Sequence, residues 1–119
     1  MKRETANMRL KRRNHPYCIR CGFMRDLEVH HVHPRSDGGR ESLDNLAVLC
    51  VRCHKEFHRY YDFAGQTEGW HVENFDRFLL EEPGAWRGFK FRYPDVASLF
   101  DWATVRAARI GLAQAGGEL

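Results

Sequence analysis

The sequence predicts an α+β fold, in which two short strands and one helix build a small core and a mainly helical extension follows. Three observations point there. Two Cys-x2-Cys pairs, Cys18/Cys21 and Cys50/Cys53, bracket a double histidine at His30-His31. Short apolar segments at 27–33 and 45–49 have the length of strands. His54 and His58 then recur one helical turn apart within HKEFHRYYDF. The expected organisation is a basic arm over 1–14, a cysteine- and histidine-bearing module over 15–62, and an extension over 63–119 that packs on the module or on a partner. A chain of 119 residues holds one core rather than two.

No apolar run approaches the roughly 20 residues that a membrane span requires, so no membrane role is expected. The start, MKRETANMRLKRR, has no apolar stretch behind it to act as a secretory signal. Cysteines that come as CxxC pairs without such a signal favour metal over disulfides, and a reducing cytoplasm is the consistent compartment. The net charge of +3 conceals an asymmetry. Residues 1–13 hold six Lys or Arg against one acid, residues 14–62 seven against seven, and residues 63–119 six against eight. All the excess positive charge therefore sits in the leader, where it offers a handle for a phosphate backbone. The plainer alternative is a solvated, disordered tail.

In chain order, the leader has helical character around Met8 and Leu10, and Pro16 stops any helix near Asn14. Cys18-Ile19-Arg20-Cys21-Gly22 reads as a knuckle, with Gly22 able to take positive φ. Leu27–His33 alternates as a short strand that places Leu27, Val29 and His31 on one face, and Pro34 ends it. Ser36–Arg40 has loop chemistry. Asn45–Leu49 is an extended segment leading into the second knuckle, Cys50–Cys53, from which a helix begins. Beyond it, Gly65–Gly69 reads as a loop. Val72, Phe75, Phe78 and Leu79 are spaced for a helix over 71–82 that ends at Pro83-Gly84. Phe89, Phe91 and Tyr93 alternate with Lys90 and Arg92 as a strand would. Asp95 is placed to cap a last helix carrying Val96, Leu99, Phe100 and Ala103, ended by Gly116-Gly117.

The pattern C-x2-C-x28-C-x2-C suits a structural zinc, because each CxxC turn presents two thiolates and four of them complete a tetrahedron. Four thiolates leave no open position, so no chemistry is expected at that ion. Its task is to clamp the excursion that carries the histidines. His30 and His31, adjacent on a strand, point to opposite faces and cannot share one ligand sphere. His54 and His58, at i and i+4, can chelate one ion together.

The constellation HH-x13-N-x8-H-x3-H (His30, His31, Asn45, His54, His58) resembles the HNH, or ββα-metal, endonuclease motif, and the flanking CxxC pairs resemble its zinc-containing members. The resemblance covers residues 18–58. It implies His31 as the general base that activates water, and His30, His54 and His58 as ligands of a catalytic divalent cation. It implies Asn45 as the brace of the inter-strand loop that keeps His31 oriented, and Asp37-Gly38-Gly39 as the family's glycine-containing loop. Many members carry Asp where this chain has His30. Three imidazoles move the preference from Mg²⁺ toward Mn²⁺, Ni²⁺, Co²⁺ or Zn²⁺.

The function expected is hydrolysis of phosphodiester bonds in double-stranded DNA. Arg12, Arg13, Arg35, Arg52, Lys55 and Arg59 are the candidates to grip phosphate, and each is also the kind of charge that simply faces solvent. His15, His33 and His71 have no matched role. Two rival readings come from other classes. One is a non-catalytic zinc-stapled module that binds nucleic acid; the other is a subunit whose aromatic C-terminal half docks on a partner protein or a second copy.

Overall fold

The computed structural model describes residues 4–65 and 68–117. Lys2 and Arg3 of the basic arm, and Gln66 and Thr67 of the expected loop, lie outside the described residues. The elements run α1 (Ala6–Asn14), β1 (Leu27–His31), two 3₁₀ turns (Arg35–Asp37 and Leu43–Asn45), β2 (Leu46–Cys50) and α2 (Val51–Tyr60). The C-terminal half is helical throughout: α3 (Trp70–Leu80), α4 (Gly84–Arg92), α5 (Pro94–Ala97) and α6 (Trp102–Gly117). The architecture is the α+β arrangement that the sequence predicts.

Strands β1 and β2 pair antiparallel, with His30 opposite Ala47 and His31 opposite Leu46. Helices α1 and α2 both pack on this ribbon. All five residues of β2 are buried, which explains why LAVLC is apolar throughout rather than alternating. The basic leader is therefore a docked helix from Ala6 onward, not a loose tail. Thr5 caps it by accepting the Met8 N–H at 3.1 Å. Asn7 Nδ2 donates to the Glu41 carbonyl at 2.5 Å, and Lys11 Nζ to the Leu43 carbonyl at 3.0 Å.

The connection between the strands folds back on itself. Gly39 N–H donates to the Pro34 carbonyl at 2.8 Å, and a Cβ on Gly39 would stand 1.8 Å from the His33 carbonyl oxygen. Only glycine allows that approach. Asn45 closes the base of the loop. Its Oδ1 accepts the His33 N–H at 2.9 Å, and its Nδ2 donates to the carbonyls of His33 at 3.0 Å and Arg40 at 2.8 Å.

The core joins the two halves of the chain. Phe57 of α2 and Tyr61, which caps the end of that helix, meet Phe75 and Phe78 of α3 edge-on with centroids 5.1–5.7 Å apart. Arg20, inside the first knuckle and fully buried, ties the pieces together. Its guanidinium pairs with Glu56 of α2 at 2.8 Å, donates to the carbonyls of Glu81 and Glu82, and lies 4.0 Å from the Phe78 ring centroid. Fixed fork geometry lets one arginine satisfy all of these at once. From the other side, Arg106 of α6 donates to the carbonyls of Ile19 and Arg20. Gly22 takes φ +79° where a Cβ would meet Arg109 at 2.6 Å.

Two expectations for the C-terminal half are corrected. Residues 89–93 are not a strand: 89–92 continue α4, and Tyr93 caps its end. Trp86, Phe89 and Tyr93 stack along one side of that helix at centroid separations of 5.4 and 5.2 Å, whereas Phe91 is 89% exposed. The i, i+3, i+7 spacing thus prevails over the alternation, and Pro94 shuts off any extended continuation. The single helix expected after Asp95 is two, α5 and α6, broken at 98–101. Tyr93 rather than Asp95 precedes the first turn of α5. Asp101 starts α6, accepting the Thr104 N–H at 2.6 Å.

Candidate metal and catalytic centre

Among the described residues, two groups bring ligand atoms close enough to hold a metal ion: Cys18, Cys21, Cys50 and Cys53; and His30, His54 and His58. Within each, the atoms lie within 4.8 Å of one another. All four thiols are free and buried, and the 3.7 Å between the sulfurs of Cys21 and Cys50 far exceeds a disulfide bond of about 2.05 Å. Four converging soft donors suit one tetrahedral ion. Cys50 also starts α2, its sulfur accepting the Cys53 N–H at 3.5 Å.

The histidine group is assembled from both halves of the ribbon-and-helix core. His30 projects from β1 toward α2, opposite the small Ala47 that leaves room for its ring. Phe57 packs edge-on against it at 4.6 Å and Phe75 stacks on it at 5.4 Å. His54 and His58 bring their Nε2 atoms within 3.0 Å of each other. The outer nitrogens of this pair face carboxylates: His54 Nδ1 lies 3.2 Å from Glu28, and His58 Nδ1 lies 2.8 Å from Asp62. A carboxylate behind a ligating imidazole fixes its tautomer and raises its basicity, turning the inner nitrogen toward a cation. His30 Nε2 is buried and has no hydrogen-bond partner. An orphaned buried acceptor beside two Nε2 atoms fits a divalent cation bound by three imidazoles, with positions left open for other ligands.

Burial, and after it the nearby His54, His58 and His31, push the His30 imidazole down to about 3. With the histidine site empty and zinc kept on the four thiols, the protein should therefore lose stability in acid. An unfolded His titrates near 6.5, so below that pH the unfolded chain takes up a proton that the folded chain refuses. Stability falls as pH drops from about 6.5 toward 3. Urea midpoints measured across this range on wild type and His30→Phe check it, and equal pH slopes for the two would refute it.

His31 sits on the other side of β1. Its Nε2 lies 2.5 Å from Glu41 Oε1, and Arg35 reaches the same oxygen at 3.3 Å. Asn45 bonds the backbone two residues beyond His31, not its ring. Asp37 of the glycine loop pairs with His71 at 3.0 Å, and His71 stacks on His33 at 5.0 Å, so these two histidines anchor α3 to the loop. Of the candidate phosphate contacts, Arg12 is paired with Glu4 at 2.7 Å and Arg35 with Glu41. Arg13, Arg52, Lys55 and Arg59 are exposed, the last three on α2. The structure brings Arg35 beside His31; the arginines of α1 lie on a separate element.

Glu28, Glu41 and Asp62 are absent from the sequence motif. Two of them carry a local signal. Asp62 follows His58 by four residues, and Glu28 precedes His30 by two on the same strand face. Glu41 carries none, because only the folded loop brings it to His31.

Residues 18–59 match the family model described as HNH endonuclease. A curated relative, the type IV methyl-directed restriction enzyme EcoKMcrA of Escherichia coli (strain K12), is 44% identical over 50 aligned residues, covering 34% of this chain and 18% of the relative. The chain thus spans less than a fifth of the length of the relative that it matches. No solved structure matches the chain.

Proposed function

Since residues 18–59 are an HNH endonuclease domain, we propose that this protein is a cation-dependent endonuclease that hydrolyses phosphodiester bonds in double-stranded DNA. The observation that carries the proposal is the convergence of His30, His54 and His58, with an unpartnered buried nitrogen, next to a strand neighbour held by a carboxylate. DNA as the substrate rests on the relative that is named a restriction enzyme. The four-thiol site takes zinc as a purely structural ion, and the reducing cytoplasm keeps those thiols available for it.

His31 acts as the general base. Its neutral imidazole takes a proton from water as the water oxygen attacks phosphorus in line. The bond from phosphorus to the 3′ oxygen breaks, and that oxygen leaves with a proton from solvent, giving 5′-phosphate and 3′-hydroxyl ends. His30, His54 and His58 would hold a divalent cation, and that cation would supply Lewis-acid neutralisation of the negative charge that develops in the reaction. Glu28 and Asp62 hold the ligand rings in register, and Asn45 keeps the loop after β1 from drifting. Arg35, Arg52, Lys55 and Arg59, with Arg12 and Arg13 of α1, steer and hold the phosphate backbone.

The test is a supercoiled plasmid incubated with the zinc-loaded protein and Mg²⁺, Mn²⁺, Ni²⁺ or Zn²⁺ in turn. Nicked or linear product is expected, with Mn²⁺ or Ni²⁺ supporting it better than Mg²⁺, because imidazoles favour borderline cations. Plasmid that is bound but uncut under every cation would leave only a binding module.

A further inference from the structure

Glu41 is the carboxylate on which His31, Arg35 and helix α1 converge. Its Oε1 lies 2.5 Å from His31 Nε2 and 3.3 Å from an Arg35 guanidinium nitrogen. Its Oε2 accepts from Thr5 Oγ1 at 2.9 Å, and its main-chain oxygen accepts from Asn7 Nδ2 at 2.5 Å. Thr5 is fixed in turn, since the same hydroxyl oxygen caps α1 through the Met8 N–H. The carboxylate is thus tied at both oxygens, and the backbone beneath it is tied to the same helix.

From this arrangement we infer that Glu41 is the positioning residue of the nuclease site, holding His31 as the Nε2–H tautomer, and that helix α1 serves the site by holding Glu41. The inference rests on the reading of His31 as the base and extends it to residues outside the matched domain. A neutral imidazole carries one proton, and the nitrogen without it is the one that accepts. An ionised carboxylate only accepts, so the hydrogen lies on Nε2 and the Nδ1 lone pair is left to take the proton of water. Without Glu41 the proton is free to sit on either nitrogen and the ring to turn, so many encounters present a donor where an acceptor is needed. When Nδ1 does take the proton, the adjacent carboxylate stabilises the imidazolium that forms, as an aspartate does in serine proteases.

Thr5 and Asn7 give α1 a role that its charge alone does not suggest. This helix carries four positive charges (Arg9, Lys11, Arg12, Arg13), and docking fixes where on the protein they are presented. Two of the bonds that dock it, from Thr5 and Asn7, are the bonds that hold Glu41. Substrate grip and orientation of the base therefore share one set of contacts.

Two measurements test this. The first needs no turnover: ¹⁵N NMR of the imidazole nitrogens in zinc-loaded protein without added divalent cation, at pH 8. His31 should show the Nε2–H tautomer in wild type and a mixture of the two in Glu41→Gln. A wild-type Nδ1–H tautomer, or no change in the variant, overturns the inference whether or not the protein cuts DNA. The second is a double-mutant cycle in single-turnover cleavage at saturating plasmid. Glu41→Gln should lower the rate about a hundredfold or more in the wild-type background, with KM unchanged, and should lower it no further in His31→Ala. Thr5→Val should lose about tenfold while Thr5→Ser retains the rate. An equal loss from Glu41→Gln in both backgrounds would mean that Glu41 acts through the fold rather than through His31, and the inference falls. A wild type that cuts while Glu41→Gln keeps its rate sinks this inference alone. A wild type that never cuts sinks the nuclease reading, and the functional half of the inference with it.

Discussion

Replacing His31 with alanine is expected to lower the cleavage rate by about a hundredfold to ten-thousandfold, the range a positioned general base contributes. Plasmid affinity and metal content should stay as in wild type. The separation follows from the strand geometry. His31 and the candidate ligand His30 are neighbours that point to opposite faces of β1, so truncating His31 leaves His30 against Phe57 and Phe75. The His31 side chain, 17% exposed, pairs with Glu41. Rates at saturating substrate, with zinc and manganese counted per chain on the same preparations, provide the check. Equal cutting by wild type and variant would remove His31 from the mechanism. A variant that also loses manganese would mean that the two faces of the strand are not independent.

The second large effect is structural. Stripping the four-thiol site with a strong chelator, or changing Cys50 to serine, is expected to unfold the module that carries the histidines. Structural zinc couples on the order of 10 kcal/mol of binding energy to folding, comparable with the whole stability of a small domain. The placement of the thiols makes the coupling direct. Cys18 and Cys21 flank buried Arg20, while Cys50 ends β2 and opens α2. Losing the ion would release the first knuckle, the end of the ribbon and the first turn of α2 together. Circular dichroism and a thermal melt before and after chelation measure it, with zinc added back to test recovery. A chelated protein that keeps its melting midpoint would show that the aromatic core alone suffices.

Much of this was legible in the residues because the chemistry there is local. CxxC turns, an i, i+4 histidine pair and an apolar segment next to a turn are short-range patterns, and β1, β2 and α2 follow them closely. The C-terminal half is less transparent. Its alternating aromatics at 89–93 fit two periods, and only the packing of Trp86, Phe89 and Tyr93 along one side selects the helix. Arg20 is similarly opaque: an arginine between two cysteines looks like a surface charge until Glu56 and the Glu81 and Glu82 carbonyls arrive from residues far along the chain. Glu41 was hidden for the same reason. Its meaning comes from a glycine-dependent fold-back and a helix well before it in the chain, and no spacing rule links positions 5, 31 and 41.

Cys53 and His54 are consecutive residues in the first turn of α2, and each belongs to a different group that could hold an ion. Maturation should accordingly run in a fixed sequence. The sulfur-lined position must fill first, because until it does the helix that orients His54 and His58 has no anchored beginning. A freshly synthesised chain starved of zinc would then leave the histidine group unassembled even amid abundant manganese.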